Sequence, residues 1–439
     1  MKARLVPVYF RVGRDEGFDK QLAHLKKLLA EDAELLEPVA LGDNLPKADA
    51  IVLPQILGDA YRQVKDFQGI KIPILIITSE FGTVSMWDWE IACYLKEHGV
   101  ETIAPYNLEQ AQMLCKTLAV KNDLKGSKFL VFQDDPGEGF QPQIFKCFYW
   151  WEDECTSLLK DKFGITVEKK SFKTLGERAK LVSDQCAHDI LSKWDIPSEG
   201  LTQQALLSAV KMYAVLKEEL DRDGTIKGMG INCLNESHFS DTVPCLAWSM
   251  LYQETGLIWA CEADTMSLMT KYLINKTLGA PIIMTNVYPF LMGMAALKHE
   301  RIPHFPEVES EPENHILLAH CGYFGLIPQK MACKWTLRPK VLAIVDENAH
   351  VIDAQLPLGK ATLVKLGPTM DKMMVVRSQL KEYVHYENSD CINGGLLKVS
   401  DGNRLMNNLY SHHQCIMSGD RVNDIELVAK IFGIKLEYF

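Results

Sequence analysis

The run Ile258-Trp259-Ala260-Cys261 is wholly apolar and gives way to Glu262-Ala263-Asp264-Thr265, after which an amphipathic pattern begins. Such a run predicts a buried strand that delivers two carboxylates to its C-terminal end, just ahead of a helix. Open α/β sheets hold their ligands in that crevice. Two carboxylates there can bind a divalent metal, act as general bases, or cap the helix, with Asp264 as the cap and Glu262 as its neighbour. Two further strand ends carry polar groups. The run 281–285 leads into Asn286, and the run 316–319 leads into His320 and Cys321. Parallel strands of one sheet would bring the three tips onto one edge. Glu, Asp, Asn and His then supply oxygen and imidazole donors suited to Mn²⁺ or Mg²⁺, or to proton transfer next to a carbonyl. Singly, His320 also reads as a core histidine bonded to backbone, and Asn286 as a turn residue.

Other candidates carry less chemistry. The acidic stretch 134–140 follows a strand and reads as a binding loop or an ordinary turn. Glu236, Ser237 and His238 follow another strand and face the same edge or cap a loop. His412 and His413 are adjacent, so on a strand they point to opposite faces and do not jointly chelate one metal. One then looks into a cleft and the other into solvent. Phe148-Tyr149-Trp150-Trp151 suits helix packing between domains or a sugar-stacking surface.

These residues need elements to hold them, and 439 residues are too many for one core. Over 1–125, β-like runs at 5–10, 35–40, 50–54, 74–78 and 102–105 alternate with helical patterns at 20–30, 59–67, 87–97 and 108–118. Five strands and four helices predict a doubly wound parallel sheet of flavodoxin type. Neither a dinucleotide fingerprint nor a P-loop occurs in it. A second α/β domain, 126–338, starts with a strand at 128–132. Helical stretches come next at 144–162, 176–193 and 203–220, then a strand at 228–233 and a helix at 244–255. The strand before Glu262, a helix at 266–276 and the runs 281–285 and 316–319 complete it, with 301–314 as a loop. Repeated β-then-α predicts a mostly parallel sheet again. Over 339–439, short alternating runs (341–345, 361–366, 373–376, 396–399) predict a small β-rich antiparallel domain. It closes with a strand and turn at 415–420 and a helix at 424–432. The predicted class is therefore α/β, with two doubly wound parallel-sheet domains and a β-rich C-terminal domain.

A formal net charge of -10 argues against nucleic acid or an acidic membrane as partner. No apolar run approaches the roughly 20 residues that span a bilayer. The N-terminus enters a strand-like run with no signal-peptide cleavage site, so a cytoplasmic protein is expected. None of the 12 cysteines forms a Cys-x-x-Cys pair, and Cys147, Cys155, Cys233, Cys245, Cys261 and Cys333 lie in apolar surroundings. They read as small buried hydrophobes rather than a disulfide framework or a structural zinc site.

The segments Thr242-Val243-Pro244-Cys245-Leu246-Ala247, Ala260-Cys261-Glu262-Ala263-Asp264 and Ala319-His320-Cys321-Gly322 occur in one order. After them come Ser411-His412-His413, Ser418-Gly419-Asp420 and Phe432-Gly433-Ile434. In this the chain resembles the L-fucose isomerase/L-arabinose isomerase superfamily, in particular its shorter members, over about 228–439. The resemblance implies an aldose–ketose isomerase working through an enediol stabilised by a divalent metal, usually Mn²⁺, with a small carbohydrate as substrate. It also implies a homo-oligomer, a trimer or hexamer. Glu262 falls on the family's metal ligand and base; in that reading Asp264 would orient the site and His320 would bind substrate or metal. Asn286 falls where the isomerases place an aspartate ligand, and with His413 it would bind substrate. Cys391 falls near the C-terminal histidine ligand, with His385, His412 and His413 as alternatives. Two other readings stay open: a scaffold relative with metal-independent acid–base chemistry, and a non-catalytic sugar-binding protein.

Overall fold

The structure, a computed structural model, describes residues 2–10, 14–54, 58–78, 88–134, 153–234, 236–290, 306–321, 332–341, 345–385 and 393–439. The chain falls into two compact units. The first comprises 1–123, 276–278 and 423–434, and the second 124–275, 279–422 and 435–439. The first break lies within two residues of the boundary expected at 125/126, whereas the boundary expected at 338/339 falls inside the second unit.

In the first unit the strands are β1 (Ala3–Tyr9), β2 (Ala33–Leu35), β3 (Val39–Ala40), β4 (Ala50–Leu53), β5 (Ile74–Ile76) and β6 (Thr102–Ile103). All pair in parallel, in the order β2-β1-β4-β5-β6, with β3 also on β1. The single strand expected at 35–40 is split by Pro38, which has no N–H for the ladder. Alternate residues of β1 and β4 feed two cores. Leu5 and Val52 pack under α1 (Glu16–Leu28) and α4 (Leu108–Asp123). Val6 and Ile51 pack with Phe67 of α2 (Val64–Gln68) and Leu95 of α3 (Asp88–Glu97). The period of two along each strand thus dresses both faces of the sheet.

The second unit opens with a parallel sheet of four strands, β7 (Lys128–Phe132), β8 (Thr166–Lys170), β9 (Ile226–Ile231) and β10 (Ile258–Cys261), in the order β10-β9-β7-β8. Strand β8, Thr-Val-Glu-Lys-Lys, escapes sequence reading because this edge strand buries no residue and so shows no apolar period. Its helices are α5 (Asp153–Phe163), α6 (Phe172–Leu181), α7 (Asp184–Leu191), α8 (Gln203–Arg222), α9 (Cys245–Thr255) and α10 (Thr265–Leu278). The one helix expected over 176–193 is two, because Ser183 caps α7 by accepting from the Cys186 N–H at 3.2 Å.

Beyond α10 the chain departs from the expected parallel order. The runs 281–285 and 316–319, expected in the parallel sheet, are instead β11 (Ile283–Pro289) and β12 (His315–His320) of an antiparallel sheet. Their partners include β15 (Gly359–Leu366), β16 (Lys372–His385), β17 (Asn393–Lys398) and β18 (His413–Ser418). The order β15-β18-β11-β12-β17-β16 closes on itself through β15–β16 pairing, a small antiparallel barrel. A strand buried on both faces is apolar throughout, so composition does not show which neighbour it takes. The sheet β13 (Lys334–Pro339) with β14 (His350–Gln355), the helices α11 (Gly402–Asn407) and α12 (Val422–Phe432), and β19 (Lys435–Tyr438) on β16 complete the chain. Cys155, Cys245 and Cys261 are buried as expected, but Cys333 is exposed. Among the described residues no helix is long and apolar enough to cross a membrane.

Candidate functional site

The site grows from the end of β10, whose four residues are all buried. After Cys261 the backbone turns left-handed twice in succession, with φ 54° at Glu262 and 53° at Ala263. Each costs a non-glycine residue roughly 1–2 kcal/mol. Bonds from Ala263 N–H to the Ile231 carbonyl and from Asp264 N–H to the Cys261 carbonyl, both 3.0 Å, hold the turn. Gly230 of β9 makes room for it, since a Cβ there would lie 3.0 Å from the Ala263 Cα. Left-handed positions of this kind on non-glycine residues cluster at active sites and ligand clamps.

Asp264 ends the turn and caps α10. Its Oδ1 accepts from the Ser267 N–H at 2.8 Å. Its Oδ2 accepts from the Ser267 hydroxyl at 2.6 Å and from the Lys365 ammonium at 3.1 Å, and it lies 3.0 Å from His413 Nδ1. Asp264, Lys365 and His413 are all buried. Burial would raise the Asp264 carboxyl, but Lys365 and His413 outweigh it and hold the group well below its ordinary value.

His413 continues the chain of charges. Its Nε2 stands 3.7 Å from Glu262 Oε1, an ion-pair distance longer than a hydrogen bond. Burial alone would lower the imidazole, but Glu262 and Asp264 on either side raise it to about 9. At neutral pH the ring is therefore a cation between two anions. Glu262, whose side chain is 18% exposed, is the one member of this set open to solvent. Burial pulls its carboxyl up, and His413, with smaller help from His412 and His320, brings it below the ordinary value.

The antiparallel sheet supplies the remaining wall. Asn286 on β11 lies directly opposite His413 on β18 and Ala319 on β12, so the three share a face. The Asn286 Oδ1 is buried and has no hydrogen-bond partner among the described residues. His320, at the end of β12, is buried and near enough for its charge to lower Glu262. Glu262, Asp264, His320, Asn286 and His413 therefore do meet, though across two sheets rather than along one parallel edge. His412 is the exposed member of the histidine pair and His413 the buried one.

Sequence reasoning missed Lys365. Its signal was present: a lone cation inside the run 361–366 must find an anion once that strand is buried. Glu236 takes its plainer reading, accepting from the Asp134 N–H at 2.9 and 3.0 Å. Cys391, the side chain of His385, the aromatic run 148–151 and residues 135–140 lie outside the described residues. Among the described residues no group of three or more His, Cys, Asp and Glu side chains is arranged to hold a metal ion. No family model and no curated protein sequence matches this chain.

Proposed function

We propose that the chain moves a proton between carbons next to a carbonyl, as an aldose–ketose isomerase does, with Glu262 as the base and the His413 cation as the acid. One observation carries this: the buried run Lys365–Asp264–His413–Glu262, which fixes an imidazolium beside the one carboxylate of the run that meets solvent. In this reading Glu262 removes the proton at C2 while the Nε2–H of His413 donates to the carbonyl oxygen on C1. The C–H electrons become the C1–C2 double bond of an enediol, and the carbonyl electrons become an O–H bond. Glu262 returns its proton to C1, and His413 recovers one from the C2 hydroxyl as the new carbonyl forms. Asp264 holds the ring by Nδ1 and sustains its charge, and Asn286 Oδ1 offers an acceptor for a substrate hydroxyl. The resemblance supplies the carbohydrate class and a trimeric or hexameric assembly. A cytoplasmic setting is part of the same reading, and the net charge of -10 disfavours nucleic acid or an acidic membrane surface as partner.

The donor set as folded suits this cation better than Mn²⁺. Asp264 has its oxygens taken by Ser267, Lys365 and His413, and the position facing Glu262 holds a positive ring. A dication there would have to displace that proton. A second, metal-dependent reading has its own support, because the Asn286 Oδ1, without a hydrogen-bond partner among the described residues, is a hard oxygen donor next to His413.

Deuterium loss from C2 across a panel of aldoses, with chelator or with Mn²⁺, tests both. Washout that survives chelator and disappears in Glu262→Gln is the expected result. Washout that needs Mn²⁺ assigns the metal reading. Sugar binding without washout in either condition, unchanged in Glu262→Gln, refutes catalysis and leaves a binding protein.

A further inference from the structure

The carboxyl edge of the parallel sheet carries two side chains that the acid–base chemistry leaves unused. Phe132 of β7 pairs with Ile231 of β9, and Ile231 with Cys261 of β10. The next row across the three strands is therefore Gln133, Asn232 and Glu262. The ladder runs on into this row. The Asn232 N–H donates to the Phe132 carbonyl at 3.0 Å, and the Gln133 N–H to the Lys170 carbonyl of β8 at 2.9 Å. Successive side chains of a strand take opposite faces. Phe132 and Ile231 belong to the core that includes Phe172 of α6 and Leu246 of α9. Gln133 and Asn232 thus take the other face, that of Phe129, whose ring lies 6.0 Å from the Tyr272 ring of α10. It is also the face of Gly230, against which the turn Glu262-Ala263 closes.

Both side chains are buried, Asn232 at 0% and Gln133 at 6% exposure. Their four amide atoms, Oδ1 and Nδ2 of Asn232 with Oε1 and Nε2 of Gln133, have no hydrogen-bond partner among the described residues. Buried polar atoms of folded proteins are nearly always paired, and an amide brings both donors and an acceptor. Two such amides side by side, in one row with the proposed base, have the chemistry to bind a polyol. We infer, on the aldose reading above, that Gln133 is a specificity residue of the Glu262 site. Beyond Asn232 it hydrogen-bonds the hydroxyls at the far end of the sugar, and so selects uncharged aldoses long enough to reach it.

Neighbouring strands lie roughly 5 Å apart, so the backbone at Gln133 stands about 10 Å from the strand position that leads to Glu262. A sugar with C1 and C2 between Glu262 and His413 lays its middle carbons along Asn232 and its last hydroxyls against Gln133. A tetrose ends at Asn232, whereas a hexose reaches across. A hydroxyl both donates and accepts, as an amide does, while a phosphate or carboxylate calls for a cation that this row does not contain. The surroundings also oppose an anion. One residue past Gln133, the Asp134 N–H donates to the Glu236 carboxylate at 2.9 and 3.0 Å. The Asp134 carboxylate itself accepts from the Lys173 N–H at 2.9 Å. Two acidic side chains therefore stand at the Gln133 end of the row.

The test titrates the full chain by calorimetry with the stereoisomeric tetroses, pentoses and hexoses and with the hexose 6-phosphates, and follows C2 deuterium washout on the same sugars. The wild type should bind a free hexose about tenfold more tightly than any tetrose and than the 6-phosphate, the worth of one or two hydrogen bonds. Gln133→Met keeps the shape and removes the amide. It should bring the hexose down to the level of the tetrose, leave the tetrose unchanged, and melt no lower than wild type. Asn232→Leu should weaken sugars of all three lengths. A Gln133→Met protein that keeps the hexose preference, or that loses tetrose and hexose alike, overturns the inference, as does a wild type that prefers the 6-phosphate. Hexose binding that depends on Gln133, with no washout on any sugar, supports the subsite and overturns the isomerase reading. Washout with the same chain-length preference in wild type and Gln133→Met does the reverse. A wild type that binds none of these sugars overturns both.

Discussion

Replacing Asp264 by Asn separates two things this residue does. An amide caps α10 about as well as a carboxylate and fills the same space, so the cap and the packing survive. What goes is one charge from a balanced set of four, in which Glu262 and Asp264 face Lys365 and His413. The Lys365 side chain is 2% exposed and that of Asp264 is 0% exposed, so the ammonium is left buried against a neutral group. Removing one partner of such a pair costs about 3–5 kcal/mol. In a unit of this size each kcal/mol shifts the midpoint by roughly 2 °C, so a fall of about 6–10 °C is expected by calorimetry at pH 7. The double variant Asp264→Asn with Lys365→Met restores the balance and should recover at least half of the loss. The wild-type advantage also has a pH signature. A depressed carboxyl contributes fully above its ordinary value of 3.8 and loses that contribution as pH falls through its folded value. The gap between wild type and Asp264→Asn should therefore narrow in acid. Losses that simply add in the double variant, or a single variant as stable as wild type, would refute the charge-balance argument.

Four further outcomes are expected from the same geometry. If the Glu262 anion and His413 cation are the working pair, kcat/KM should be level from mild acid to about pH 9 and fall above it as His413 loses its proton; a limb near pH 6.5 would contradict this. Stability should behave alike, since a raised imidazole contributes fully below 6.5 and loses that contribution as pH rises through about 9. Gly230→Ala puts a methyl 3.0 Å from the Ala263 Cα, so it should destabilise by about 1–3 kcal/mol in thermal melts and lower turnover by moving Glu262. Lys271 is buried with its ammonium 3.8 Å from the Trp259 ring centroid and donating to the Trp259 carbonyl at 2.6 Å, and burial lowers its pKa to about 8. Lys271→Met should stabilise by about 1–3 kcal/mol at pH 7, a gain that shrinks above pH 8 as the native lysine becomes neutral; a loss at pH 7 would show that the cation–π contact outweighs desolvation.

Much of the site was legible because its signals are local. An apolar run ending in Glu262-Ala263-Asp264 predicts strand, turn and capped helix, and the structure has each of them in place. The first parallel sheet was legible for the same reason, since its strands and helices keep separate periods. Partner choice was not. Strands β11 and β12 are as apolar as any parallel strand, and only the register of Asn286 with His413, far apart in sequence, reveals the antiparallel sheet. Lys365 was visible as an anomaly in an apolar run, but its anion lies 101 residues away.

The closure of the barrel sets a timetable for synthesis. Strand β11 leaves the ribosome roughly 130 residues before β18, the neighbour that supplies His413. At about 5–20 residues per second, that interval is on the order of 10 s. Throughout it β11 presents an unpaired apolar edge toward β18, and Asp264 waits beside α10 without His413 and, until β15 is made, without Lys365. Emerging chains should therefore engage a holding chaperone in this window, and a chain stopped before His413 should be degraded rather than accumulate as a shortened protein with the site half built.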